Sequence, residues 1–124
     1  MDLGWCDVCL RVKSASNSKK FYSGLGFWCV EGANEEGWAV ITNGDLRLGL
    51  FEEQYMGDDA ISLNFRGANI RTITKDLNAI GYSFEAEPKL GDNGSGSARM
   101  RDPDGYAIFF DTAPGETKKE LPAD

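Results

Sequence analysis

Charged and thiol side chains alternate with apolar ones in the run Trp5-Cys6-Asp7-Val8-Cys9-Leu10-Arg11-Val12. Successive side chains of an extended strand point to opposite faces, so Asp7, Cys9 and Arg11 share one face and Val8, Leu10 and Val12 the other. A carboxylate, a thiol and a guanidinium side by side are the groups that move a proton, hold a cation or fix the polar atoms of a ligand. Cys6 and Cys9 form a CxxC, a spacing used by metal and redox sites. In a strand, residues three apart point away from one another, which favours buried thiols in a reducing compartment over a shared bond or metal. The chain contains no histidine, which excludes histidine-dependent catalysis and histidine metal ligation within it.

The same alternation selects further candidates. Arg47, Gly49 and Phe51 share a face in one later strand, Ala60, Ser62 and Asn64 in another, and Ala107, Phe109 and Asp111 in the last, leaving Tyr106, Ile108 and Phe110 for the core. Arg99 and Arg101 share a parity whose face the pattern leaves open. Asp7, Arg11 and Arg47 either pair among themselves or meet ligand groups, because unpaired buried charge is costly. Phe109 is either core or a stacking platform.

Two copies of one pattern position these residues. Val8–Val12 has a counterpart in Ile61–Phe65, each a short alternating strand followed by a helical pattern. In the first helix, Ser18, Phe21, Tyr22 and Leu25 are expected on one face with Ser14 as N-cap; in the second, Ile70, Ile73, Leu77 and Ile80. Gly24, Gly26 and Gly81 are expected as left-handed helix ends. Strand-like runs follow at Phe27–Val30, Trp38–Thr42 and Leu46–Phe51, then at Tyr82–Ala86, Ala98–Arg101 and Tyr106–Asp111. Turns are expected at Glu31–Gly37, Asn43-Gly44, Pro88–Ser97 and Asp102–Gly105, with Glu53–Asp58 as the joint. Trp28 and Trp38 flank the first of these turns and are candidates for a rim. Pro88–Ser97 reads as a lid or a long turn. The order is β-α-β-β-β twice, an α+β fold of two modules, about 4–53 and 58–112, forming a curled mixed sheet around a cleft within a single domain 1–112. Residues 113–124 are expected to be a mobile tail.

At 124 residues, 41% hydrophobic and 27% charged, the chain suits one soluble domain. Its net charge of −7 argues against nucleic-acid binding. No apolar run is long enough for a membrane span, and no signal peptide is visible, so a cytoplasmic location is expected.

Two segments carry a family resemblance. FYSGLGF after the first helix resembles the FYxxxLGF signature of the vicinal oxygen chelate superfamily, and RDPDGYAIFF its C-terminal DPDGNxIEF signature. That superfamily includes glyoxalase I, extradiol dioxygenases, fosfomycin-resistance enzymes and bleomycin-resistance proteins, and the likeness covers residues 5 to about 112. It implies the curled fold of two βαβββ modules and a homodimer. It also implies metal ligands at four positions, which match Asp7, Ala60, Phe109 and either Arg47 or Gly49. Only Asp7 could bind a cation, whereas a first-row divalent metal takes three or four donors. The resemblance therefore points to a metal-less, bleomycin-resistance-like branch with no cofactor.

The function expected is metal-independent binding of a small molecule, cationic or aromatic, that sequesters a drug or metabolite. Its site would comprise Asp7, Cys9, Arg11, Arg47, Phe51, Ser62, Asn64, Phe109 and Asp111. The alternatives are a metal-independent lyase or isomerase with Asp7 as general base, and a metal enzyme using Asp7, Cys9 and Asp111.

Overall fold

The structure, a computed structural model, describes residues 1–116, without the side chains of residues 33 and 34. The strands and helices are β1 Trp5–Arg11, α1 Ala15–Ser23, β2 Trp28–Ala33, β3 Trp38–Thr42, β4 Arg47–Phe51, α2 Glu53–Met56, β5 Ile61–Arg66, α3 Ile70–Ala79, β6 Lys89–Leu90, β7 Gly96–Arg101 and β8 Ala107–Thr112. The β-α-β-β-β order thus occurs twice, and the fold is α+β with a mixed sheet. The chain divides into two compact units, residues 7–62, and residues 1–6 with the chain from Leu63 onward.

In the unit of residues 7–62 the strand order is β2-β3-β4-β1. β1 and β4 are parallel, with Val8 beside Leu48 and Cys9 beside Gly49, whereas β3 is antiparallel to both β2 and β4. One face gathers Val8, Leu10, Ile41, Leu48 and Leu50 with Val12, Tyr22 and Phe27, as the alternation in β1 requires. α1 starts where the Ser14 hydroxyl accepts from the Asn17 N–H at 3.1 Å and where the Ala15 N–H donates to the Glu52 carboxylate at 2.9 Å. Its buried face differs from the expected one. Ala15 and Tyr22 face the sheet, whereas Phe21 and Leu25 are 66% and 63% exposed. Phe21 sits a quarter-turn from the stripe that Ala15 and Tyr22 define, and Leu25 lies beyond the last helical residue. Gly24 ends α1 in a right-handed conformation (φ −65), not the left-handed one expected; Gly26 supplies the positive φ. β2 runs on to Ala33 through a bulge between Cys29 and Glu31, so the expected turn over Glu31–Gly37 contracts to a 3₁₀ turn at Asn34–Glu36. The Asn43-Gly44 turn forms as expected, its Asn43 carboxamide accepting from the N–H groups of Asp45 and Leu46.

In the other unit the order is β5-β8-β7-β6. β7 and β8 are antiparallel, pairing Ala98 with Phe110 and Arg99 with Phe109. Three consecutive residues show how β5 meets β8. Phe65 stacks on Phe110 with ring centroids 5.7 Å apart, Arg66 Nε lies 3.8 Å from Asp111 Oδ1, and the Gly67 N–H donates to Thr112 Oγ1 at 3.2 Å. Partners that advance together define a parallel pair, which sets Asn64 beside Phe109. The core, under α3, is Ile70, Ile73 and Leu77 against Ala98, Met100 and Phe110, with Leu3, Phe65, Phe84 and Ile108 packed around it.

Three expectations fail in this unit. Ile80 is exposed because it is the C-cap of α3 and no longer on the helical stripe. Tyr106 is exposed because β8 begins only at Ala107. Tyr82–Ala86 forms no strand: Phe84 packs on the core and the Glu85 N–H donates to the Arg99 carbonyl at 2.9 Å, but no ladder follows. The strand beside β7 is instead Lys89–Leu90, just after Pro88, whose missing N–H stops the ladder extending backward. Pro88–Ser97 is therefore a short hairpin around a 3₁₀ turn at Asp92–Gly94 rather than an irregular loop. Of the expected tail, 113–116 forms a turn held by a bond from the Glu116 N–H to the Ala113 carbonyl, and 117–124 lies outside the described residues.

Candidate functional site

Each unit has a sheet face turned away from its helix, and those faces carry the candidate residues. In the unit of residues 7–62 the parallel register sets Asp7 beside Arg47, and the two form an ion pair, Nε to Oδ1 2.5 Å and Nη2 to Oδ2 3.5 Å. The Asp7 side chain is 1% exposed and that of Arg47 31%. A carboxylate so far from water needs a partner, and the guanidinium supplies one with two of its nitrogens.

One step along β1, Cys9 faces Gly49, and the Phe51 ring folds back over that glycine. A Cβ at position 49 would lie 2.6 Å from Phe51 Cε2 and 2.9 Å from Cys9 Sγ. Glycine is needed there for space, not for its backbone freedom. Phe51 is held between two aromatic neighbours, stacked on Trp38 (5.8 Å, 5°) and meeting Tyr55 edge-on (5.8 Å, 70°). Arg11 is exposed, and its guanidinium donates to the Gly57 carbonyl at 2.8 Å. Ser62 is half-buried in β5. Trp28 is exposed, whereas Trp38 packs on Phe51, so the two tryptophans behave differently.

In the other unit the corresponding face carries Asn64 and Arg66 from β5, Phe109 and Asp111 from β8, and Arg99 and Arg101 from β7. The open question of the two arginines is thereby settled: Ala98 and Met100 take the core side and leave Arg99 and Arg101 to the other. The Arg99 guanidinium lies over the half-buried Phe109 ring, 5.3 Å from its centroid. Arg66 donates to Glu116 at 2.7 Å and approaches Asp111. Arg99 and Arg101 both turn to the same Glu85 oxygen, at 3.5 and 3.3 Å. Asn64 Oδ1 is buried without a hydrogen-bond donor.

The sequence reading named Trp38 only as a rim candidate, not as the neighbour of Phe51, and missed Tyr55, Arg66, Glu85 and Glu116. Trp38 was accessible in principle, since it pairs with Phe51 once β3 and β4 are aligned; the others depend on contacts that no local pattern encodes.

The family's metal does not fit these residues. Ala60 and Phe109 offer no donor, Arg47 and Gly49 none suited to a cation, and the Asp7 carboxylate is already held by a guanidinium. Among the described residues no three His, Cys, Asp or Glu side chains stand together as a metal would require. Elemental analysis of dialysed protein is expected to find no stoichiometric zinc, manganese, nickel or iron; one tightly held equivalent would overturn this. Cys6, Cys9 and Cys29 are thiols. Of the two expected to be buried, Cys9 is buried and Cys6 half-buried; Cys29 is exposed.

A family model described as the Glyoxalase/Bleomycin resistance protein/Dioxygenase superfamily matches residues 3–110, and the chain belongs to that superfamily. Solved structures with the same fold include a Legionella pneumophila protein described as an NAD-dependent benzaldehyde dehydrogenase (TM-score 0.70, 20% identity, covering 87% of this chain and 98% of that one). A superfamily member from Vibrio splendidus 12B01 superposes with a TM-score of 0.62 at 18% identity, covering 88% and 98%. A Staphylococcus aureus protein does so with 0.61 at 14%, covering 90% and 98%. No curated protein sequence matches the chain. Among the described residues no helix is long and apolar enough to cross a membrane.

Proposed function

We propose that this protein is a metal-independent small-molecule binding protein of the glyoxalase/bleomycin-resistance type, which sequesters a drug or metabolite. The observation that carries this reading is common to both units: the face away from the helix sets an aromatic ring among arginines and carboxylates. Phe51 lies over Gly49, two residues along β4 from the Arg47 that pairs with Asp7, and Phe109 lies under Arg99 and shares a face of β8 with Asp111. Rings for apolar contact with a few fixed polar groups are what small-molecule sites are built from. Asp7, Cys9, Arg11, Arg47, Phe51, Ser62, Asn64, Phe109 and Asp111 are the residues assigned to ligand contact. Binding is preferred to lyase or isomerase chemistry because both Asp7 oxygens are engaged by Arg47, whereas a general base must reach the proton it removes.

A thermal-shift screen over cationic antibiotics, aromatic acids and short-chain metabolites tests this. A ligand present at about a hundred times its Kd adds about 2.7 kcal/mol to apparent stability, a shift of several degrees for a domain of this size. Phe109→Glu is expected to abolish the shift while the fold survives, since the ring is only half-buried. A confirmed ligand that binds this variant as tightly as the parent would remove Phe109 from the site.

A homodimer completes the proposal. Pairing would cover strand edges that otherwise present open hydrogen-bonding groups, and two-fold symmetry would give two equivalent sites. Light scattering at tens of micromolar is expected to report twice the chain mass; a monomer there would count against it.

A further inference from the structure

Across the Phe109 face, the strand registers place three side chains in one row. Asn64 of β5 stands beside Phe109 of β8, which pairs with Arg99 of β7. The row has a buried acceptor lacking a donor at one end, an aromatic ring in the middle and a guanidinium at the other. We infer that this row selects a planar ring that carries a hydrogen-bond donor on one side and an anionic group, such as a carboxylate, on the other. The inference rests on the binding function proposed above and names the ligand class that this part of the site takes.

The chemistry of each position argues for that class. An acceptor buried without a donor costs on the order of 1–3 kcal/mol, and a ligand hydroxyl or N–H recovers it. Arg99 already shows that the Phe109 face accepts a flat group, because its own guanidinium lies there. Its side chain is 42% exposed, so it has room to swing off the ring, let a ligand ring stack in its place and meet the ligand's carboxylate. A guanidinium presents two parallel N–H groups to a carboxylate, a geometry no ammonium group offers. The Cα atoms at the two ends are two strand spacings apart, about 10 Å.

The net charge of −7 would favour the opposite ligand if it acted at long range. At physiological ionic strength, charges beyond about 8 Å are largely screened. Arg99, with Arg101 converging on the same Glu85 oxygen, is therefore the nearer influence.

Calorimetric titration of the intact protein with 4-hydroxybenzoate, benzoate and 4-hydroxybenzylamine tests the inference. The expected order is 4-hydroxybenzoate ahead of benzoate by several-fold, and ahead of the amine by tenfold or more. Arg99→Gln is expected to lose at least tenfold on the acids, with Arg99→Lys intermediate. Asn64→Leu is expected to erase the difference between 4-hydroxybenzoate and benzoate, a coupling that a merely structural asparagine would not show. Acid binding that Arg99→Gln leaves unchanged overturns the inference. So does a preference for the amine, or failure of the acids where the wider screen finds a neutral or cationic ligand lost in Phe109→Glu; the binding function then stands without this ligand class. No binding by any compound in either experiment overturns both.

Discussion

Arg47→Met is expected to destabilise the protein by about 3 kcal/mol, roughly 10 °C in melting temperature, the largest loss from any single change in the candidate site. The substitution takes the cation from a carboxylate that is 1% exposed, and water cannot readily replace it. Removing the other partner is milder. In Asp7→Leu the guanidinium left behind is already 31% exposed and can turn outward, so a loss of about 1 kcal/mol is expected. The double variant Asp7→Leu/Arg47→Met is expected to be more stable than Arg47→Met alone, because the buried charge is gone along with its partner. Denaturant melts of the four proteins measure the coupling. If the two single losses simply add in the double variant, the pair does not hold this face together. The same set bears on chemistry: an enzyme using Asp7 as its base loses its reaction in Asp7→Leu, whereas a binding protein retains ligand affinity in part.

Gly4→Ala is expected to cost about 3 kcal/mol, from a backbone strained at positive φ and a methyl driven into a neighbouring strand. Gly4 has φ +80, and a Cβ there would run into the Arg66 carbonyl, a rigid backbone atom that cannot step aside. Gly4 belongs to residues 1–6, which pack with the second half of the sequence rather than the first. The adjacent Trp5 fills the space over Gly67, where any Cβ would meet its ring. Thermal melts check the size of the loss. A change under about 0.5 kcal/mol, the usual range of a surface substitution, would show that the start of β1 is loosely held.

Much of this molecule was legible in its residues because two periods carried the information. The two-residue period of β1 correctly divided Val8 and Leu10 from Asp7 and Cys9. The helical period correctly buried Ile70, Ile73 and Leu77. Where the reading failed, it failed inside α1 at Phe21, which lies a quarter-turn off the buried stripe, and otherwise mostly at element ends. Leu25, Ile80 and Tyr106 were placed inside by extending a pattern one or two residues past the point where the backbone leaves it. Tyr82–Ala86 looked like a strand because Tyr82 and Phe84 are strand-favouring residues. A ladder also needs a run of paired amides, and only Glu85 found a bond to β7.

The sequence by itself determined the α+β class and the repeated β-α-β-β-β order, which follow from residue type and short-range spacing, while its two signature-like segments carried the resemblance to the superfamily, which in turn implied metal positions without donors. Only the tertiary structure decided which polar groups became partners. That Asp7 meets Arg47, forty residues away, depends on the alignment of β1 with β4, and that Phe51 stacks on Trp38 and Arg99 covers Phe109 depends on the registers of β3 with β4 and of β7 with β8. A one-residue slip in that alignment would turn every side chain of a strand to its other face. The alignment is set by core packing summed over a whole unit, and no local run of residues contains it.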